Sequence, residues 1–234
     1  MANDPPTYPS WTPTDMARRQ RTLAAMNTGG APTLPSLPMV TEAEAACRQP
    51  QEIARRLIAM FGVCVYCEVR SGGETRDGTA KYLAKIDDIL SSQLHDVLTP
   101  DEQAFLATEP PESGALANFG WRYECCHVLM WALGLSELGY PSDICDVSAI
   151  GSVIWRLDNV ASLLAQASPR SPDELLDAAD LVLMYDWACV DARINRRSAP
   201  AGLNGEVVVE WHRATNWLVG AYDNADWDEV GTDT

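Results

Sequence analysis

Three segments of the chain carry the same helix-start signal: TEAE from Thr41, TPDE from Thr99 and SPDE from Ser171. In each one a hydroxyl residue is followed three positions later by a glutamate, which is the pattern of a capping box. Two of the three also place proline at the first helical position, where its missing N–H costs no hydrogen bond. Three such signals in one chain predict a predominantly helical fold.

The spacing of apolar residues supports the same fold class. Between residues 53 and 67 they recur at the spacing of one helix face. Segments 175–194 and 207–220 are apolar on nearly every side, which predicts helices in the centre of the protein. Short β-branched runs occur, but none alternates for long enough to indicate a sheet. We therefore predict an all-α protein with a single multi-helix globular domain of about seven to nine helices.

The first forty residues have a different composition from the rest of the chain. They contain seven of the fifteen prolines, with a basic helical segment at residues 15–26 between them. Extended proline-rich segments around one helix are typical of an arm that lies on a domain or reaches a neighbour. We predict a proline-rich N-terminal arm with one short helix over residues 1–40 and an all-α domain over residues 41–234.

The charge of the chain restricts its partners. Thirty-three acidic and seventeen basic residues give a formal net charge of −16. An acidic surface of this size repels phosphate backbones and anionic lipids, so nucleic acid and membrane surfaces are poor partners and a basic protein is favoured. No secretory signal opens the sequence, no apolar run approaches the ~18 residues of a spanning helix, and the seven cysteines have no regular spacing. These features predict a soluble, cytoplasmic protein.

The run WRYECCHVLMW, residues 121–131, places several reactive side chains together. Cys125, Cys126 and His127 are consecutive, so on a helix they point about 100° apart and do not converge on one ion. Glu124 and His127 can meet at i and i+3, but a di-iron bundle needs a second Glu-x-x-His that the chain lacks. We expect a hydrogen-bonded Glu124–His127 pair, and we predict no metal and no cofactor.

Cys64 and Cys67 form a CxxC motif. A redox site of this type requires a preceding strand and a helix N-terminus that lowers the thiol pKa. Here the pair lies late in a predicted helix, on its apolar face, and no second CxxC is present to complete a zinc site. The motif indicates core packing.

Charged residues inside the most apolar segments are the better candidates for a site. Burying such groups unpaired would cost several kcal/mol each, on the order of 2–7, so we expect them to pair or to face a cleft. They form either a structural network that joins the central helices or a polar pocket. The candidate polar cluster is Arg122, Glu124, His127, Asp191, Arg193, Glu210, Arg213 and Asn216. The candidate pocket walls are Trp121, Trp131, Trp187 and Trp217.

An ordered series of motifs resembles the bacterial domain-of-unknown-function family 4272. The motifs are FGWRYECCHVLMWALGLSELGYPSDICDV, ADLVLMYDWACVDARIN, AGLNGEVVVEWHRATNWLVG and DWDEVGTDT, within residues 41–234. The resemblance implies no established activity. Family members usually have apolar residues in place of Cys125, Cys126 and His127, which disfavours a shared cysteine or histidine chemistry. The positions that match the family pattern are Trp121, Arg122, Glu124, Trp131, Asp191 and Arg193.

Two functions remain open from the sequence. The first is a non-catalytic helical protein that binds a basic protein through its acidic surface, in the manner of an immunity protein or a regulator. The alternative is a small-molecule or metal-dependent enzyme that uses the polar cluster, with arginines on an anionic group and a carboxylate as general base. The sequence predicts no substrate and no oligomeric state.

Overall fold

The computed structural model describes residues 11–234, in which all regular structure is helical and no strand occurs. The helices are α1 Pro13–Gly29, α2 Pro50–Ser71, α3 Arg76–Ile89, α4 Leu94–Val97, α5 Pro100–Ala107, α6 Ser113–Gly120, α7 Arg122–Ala132, α8 Val147–Ile154, α9 Val160–Leu164, α10 Pro172–Ile194, α11 Gly205–Val219 and α12 Ala221–Asn224. Two 3₁₀ turns lie at Pro200–Gly202 and Trp227–Glu229. The predicted all-α class is confirmed.

The helix count of the described chain depends on the shortest elements. Nine helices have eight residues or more, which agrees with the upper end of the prediction, whereas α4, α9 and α12 have only four or five residues. A helix of about one turn contributes too few apolar positions to show a periodicity. These three additional helices were therefore not predicted.

Helix α2 lies at the centre of the fold. It is buried without interruption from Arg56 to Cys67, so it is enclosed on all sides rather than along one stripe. Helices α3, α6 and α7 pack around it. The approach of α3 is close at Gly62, where an added Cβ would lie 3.2 Å from Ile86. The sequence predicted the helix but underestimated its burial.

Helices α10 and α11 form the second layer and pack extensively on each other. Both were predicted as central helices, and both contribute buried residues along most of their length. Helix α7 contacts α11 as well as α2, and it therefore joins the two layers. All eight candidate polar residues lie on α7, α10 and α11.

Helix α1 is docked on α10. It has 17 residues, longer than the short helix expected in the arm, and it starts with a Thr12–Asp15 capping box. The Arg19 guanidinium donates two hydrogen bonds to Asp180 of α10, of 2.6 and 3.2 Å, and both side chains are buried. The first ten residues of the predicted arm lie outside the described residues.

Two of the three predicted capping boxes are confirmed. Thr99 starts α5 and Ser171 starts α10, each with the reciprocal glutamate bond. The third prediction is wrong, because Thr41 bonds to Glu44 in an isolated turn and no helix follows until Pro50. The chain after this turn instead follows the end of α11, where the amides of residues 46 and 48 donate to carbonyls of residues 219 and 218. No helix among the described residues is both long and apolar enough to cross a membrane.

Candidate functional site

The predicted polar cluster is divided among several places. Its ion pair lies between α7 and α11, where Arg122 donates to Glu210 at 2.7 Å with both side chains largely buried. The Cys125 thiol also donates to the Glu210 carboxylate, at 3.2 Å. This part of the cluster joins two helices, as the structural interpretation of the sequence expected.

Glu124 has no arginine partner within the described part of the chain. Its Oε1 accepts a hydrogen bond of 2.7 Å from the backbone N–H of Cys145, and its Oε2 accepts one of 3.0 Å from the indole of Trp211. The residue is 2% exposed, so both bonds lie in the protein interior. Glu124 thus holds the loop before α8 against α7 and α11.

The prediction of a Glu124–His127 hydrogen bond is wrong, because both side chains have other partners. The Nε2 atom of His127 lies 3.3 Å from the carbonyl oxygen of Leu138, and its ring packs against Trp211 with the ring centroids 5.8 Å apart. The i, i+3 spacing brings the two residues onto neighbouring positions, but each side chain contacts a partner from another segment instead.

A cavity of about 210 Å³ lies beside Glu124. Trp121, Tyr123, Ile144 and Val147 give it mostly apolar walls. Because both carboxylate oxygens of Glu124 already accept hydrogen bonds from protein groups, the residue is poorly placed to take a proton from a ligand. The cavity is therefore a weak candidate for catalysis.

Arg213 and Asn216 hold the C-terminal segment of the chain. Arg213 donates to the carbonyl of Val230 at 3.0 Å, and Asn216 donates to the carbonyl of Gly231 at 3.1 Å. Burial and the neighbouring positive charge of Arg122 lower the pKa of Arg213 from its ordinary value. These two members of the predicted cluster therefore donate hydrogen bonds to backbone carbonyls and not to a carboxylate of the cluster.

Asp191 and Arg193 do not join the cluster, contrary to the prediction. They lie at the surface end of α10, where Asp191 forms a salt bridge with Arg197 and accepts a hydrogen bond from Asn195. Arg193 is exposed. The middle of α10 is buried, whereas its C-terminal end lies in solvent. The spacing of apolar residues does not show where along the helix burial ends.

The four candidate tryptophans do not wall one pocket, so this prediction is also wrong. Trp121 lines the cavity beside Glu124, and Trp131 lies under the guanidinium of Arg170. Trp187 packs in the cluster between α1 and α10, and Trp217 meets Trp227 edge to face. Each ring closes a different junction between segments.

The cysteines of the core are packed thiols. Cys64, Cys67, Cys125 and Cys126 are buried, and all seven cysteines of the chain are free. Burial raises the pKa of Cys67 to about 12, so this thiol remains protonated near neutral pH. Among residues 11–234 no three metal-ligating side chains are arranged to hold an ion.

A groove of about 450 Å³ lies between the start of α2, the α4–α5 region and the C-terminal segment. We call it the acidic groove, because five exposed carboxylates line it. They are Glu52, Asp96, Asp226, Asp228 and Glu229. Trp217 and Trp227 form its apolar base. Sequence reasoning missed this site, since its charges come from three separate segments.

A second feature that the sequence did not indicate is a buried Asp186–His212 pair. The Nδ1 atom of His212 lies 2.8 Å from the Asp186 carboxylate, and the side chains are 1% and 4% exposed. His212 also lines a separate cavity of about 450 Å³. No short sequence motif predicts this pair, because its two residues lie 26 positions apart on different helices.

Comparison with known proteins gives one match. Residues 18–230 match the model of a family described as Domain of unknown function (DUF4272). No curated protein and no solved structure matches the chain. The match begins within α1 and ends at Val230, the residue whose carbonyl Arg213 binds. The chain therefore belongs to the DUF4272 family.

Proposed function

We propose that this protein is a non-catalytic binding protein whose acidic groove takes a basic segment of another protein. The observation that supports this function is the set of exposed carboxylates around two tryptophans in one concave surface. A groove lined by one sign of charge attracts and orients a segment of opposite charge.

Most carboxylates of the groove are available to a partner. Glu52 is paired with Arg48 at 2.9 Å. The other four, Asp96, Asp226, Asp228 and Glu229, form no salt bridge with any basic residue in the described part of the chain.

Two arginines line the same groove, but they leave it acidic. Arg56 is buried and its charge is met by Glu102, which lies outside the groove. Arg55 donates to the neutral amide oxygen of Gln93 and can offset one carboxylate. The surface therefore retains an excess of negative charge.

The base of the groove suits lysine and arginine side chains. Trp217 and Trp227 meet edge to face, with ring centroids 5.5 Å apart. The guanidinium groups of the chain's own Arg48 and Arg56 already lie over Trp217 and Trp227, 4.9 and 5.5 Å from the ring centroids. Lysine and arginine carry apolar stems below their charged ends, so a partner's stems can pack on the ring edges that remain uncovered while the ends reach the carboxylates. This arrangement favours a peptide segment over a simple cation.

The enzyme alternative has less support. Protein partners already occupy four residues of the predicted cluster, and a fifth, Asp191, lies elsewhere on the surface. The four are Arg122, Glu124, Glu210 and Arg213.

We also propose a cytoplasmic location, which the seven free thiols support because reducing compartments keep cysteines unpaired.

The groove can be tested with a defined peptide. A ten-residue peptide rich in lysine and arginine is titrated into the full chain and binding is followed by tryptophan fluorescence. We expect saturable binding that weakens as salt rises. Because an exposed ion pair contributes about 0.2–1 kcal/mol, neutralising three groove carboxylates should weaken binding by about tenfold.

Two triple variants distinguish the effect of where the carboxylates lie from the effect of the protein's net charge. The groove variant carries Asp96→Asn, Asp226→Asn and Glu229→Gln, and the control carries Asp88→Asn, Asp143→Asn and Asp158→Asn, all at exposed positions. Each triple changes the formal net charge from −16 to −13, since three negative charges are removed. The proposal requires that only the groove variant weakens peptide binding by about tenfold. Equal weakening by both triples, or no binding by the unmodified protein, would overturn it.

A further inference from the structure

The Asp186–His212 pair uses only one of the two imidazole nitrogens of His212, so the other nitrogen is free to bind a ligand. The Nδ1 side of the ring faces the Asp186 carboxylate at 2.8 Å, which favours a proton on that nitrogen. In the neutral imidazole the Nε2 atom is then the hydrogen-bond acceptor, and it has no hydrogen-bond partner among the described residues. His212 is 1% exposed and is one of the residues that line the cavity of about 450 Å³, so the little surface that the residue exposes belongs to this cavity.

Most other polar groups of this cavity are acceptors; the Tyr222 hydroxyl is a possible donor, and one oxygen of Glu44 is already bonded by Thr41. Three carboxylates line it, from Glu44, Asp223 and Asp233. Asn216 uses its amide N–H on the carbonyl of Gly231, which leaves its side-chain oxygen. Among residues 11–234 no lysine or arginine lines the cavity. A ligand that satisfies these groups must therefore supply hydrogen-bond donors and positive charge.

The wall beside the carboxylates is a left-handed turn. Tyr222, Asp223 and Asn224 have φ values of 57°, 58° and 62°, a backbone region that non-glycine residues rarely occupy. The Tyr222 hydroxyl accepts a hydrogen bond of 3.3 Å from the N–H of Asp233 and so fixes the turn to the end of the chain. The turn and the segment at Asp233 each contribute one carboxylate to the lining of the cavity.

We propose that this cavity binds a small organic cation with N–H donors, such as a primary amine or diamine. One ammonium group donates to Nε2 of His212, and the carboxylates of Asp223 and Asp233 balance its charge. An organic cation is favoured over a metal ion because no three ligating side chains in residues 11–234 have a suitable arrangement. The site is separate from the acidic groove and does not depend on the function proposed for that groove.

The inference is tested on the full chain with 1,4-diaminobutane as the probe. Binding is measured by calorimetry, and the imidazole proton resonances of the three histidines are followed by NMR. Butane-1,4-diol has the same length without charge, and sodium chloride at matched ionic strength controls for screening. We expect a saturable signal with the diamine alone, accompanied by a shift of the His212 resonance while those of His95 and His127 stay in place.

Variants locate the binding without breaking the buried pair. Val40 is a half-buried residue of the cavity wall, so Val40→Trp fills the space and should weaken diamine binding at least about tenfold. Asp233→Asn should weaken it several-fold. Asp96→Asn removes the same charge from the acidic groove and should leave it unchanged.

The proposal is overturned by any of three results: no saturable diamine binding, an equal response to the diol, or diamine binding that survives Val40→Trp. An equal effect of Asp96→Asn and Asp233→Asn would overturn it too, because the cation would then respond only to net charge.

Discussion

The docking of α1 should depend on Asp180, and Asp180→Ala is the sharpest test of it. Asp180 accepts two hydrogen bonds from Arg19 and a third, of 2.6 Å, from the Thr22 hydroxyl. The side chains of Arg19 and Asp180 are 4% and 1% exposed, so removal of the carboxylate leaves a buried guanidinium without its counter-charge.

The expected loss follows from the remaining partners of Arg19. Removing one member of a buried ion pair typically costs about 3–5 kcal/mol. Arg19 keeps hydrogen bonds to the carbonyls of Pro35 and Leu37, of 3.0 and 2.8 Å, which continue to solvate part of its charge. We therefore expect the lower end of the range, about 3 kcal/mol, which corresponds to a Tm decrease of roughly 6–12 °C for a chain of this size.

Urea unfolding followed by circular dichroism measures this loss, and Asp177→Ala is the matched control. Asp177 also pairs α10 with α1, through Arg18 and Arg21, but its side chain is 38% exposed. The control should lose less than Asp180→Ala, because solvent screens the pair of Asp177 with the exposed Arg21 and the buried Arg18 keeps its ion pair with Asp15. Equal losses for the two variants, or a loss below about 1 kcal/mol for Asp180→Ala, would refute the buried docking of α1.

Three further predictions concern the interior. Glu124→Gln leaves one of two buried donors without an acceptor and should cost about 1–3 kcal/mol in urea unfolding; an unchanged midpoint would contradict the role given to Glu124. Burial raises the pKa of Cys67 to about 12, so the unfolded chain releases this proton first as the pH rises. Stability should therefore be intact below about pH 9 and fall by up to about 1.4 kcal/mol per pH unit between about 9 and 12, less steeply in Cys67→Ala. Trp227→Ala should cost about 3–5 kcal/mol and accelerate hydrogen exchange in residues 226–233; unchanged exchange would show that this ring does not hold the segment.

The helices were predictable where their signals are local. A capping box needs only residues i to i+3, so the starts of α5 at Thr99 and α10 at Ser171 follow from the sequence. Thr41 has the same pattern and forms the same Thr41–Glu44 bond, yet no helix follows. There the next residues pair with the end of α11, a tertiary interaction that no local signal reports.

The candidate site was predictable only as a set of buried polar residues. The sequence placed Arg122 and Glu124 inside the protein, and both are largely buried. It did not give the partners of Glu124, because Cys145 and Trp211 lie 21 and 87 residues away in the chain. The acidic groove and the Asp186–His212 pair were missed for the same reason, since each is assembled from separate segments.

The contacts that hold the C-terminal segment have a consequence for its sequence. Arg213 and Asn216 bind the carbonyl oxygens of Val230 and Gly231, and every amino acid has a carbonyl oxygen. These two hydrogen bonds therefore depend on the number of residues in the segment and not on which side chains the segment carries. Insertion of a single residue between Trp227 and Val230 would displace both carbonyls from their donors, whereas substitution of the exposed Asp228 or Glu229 would leave them in register.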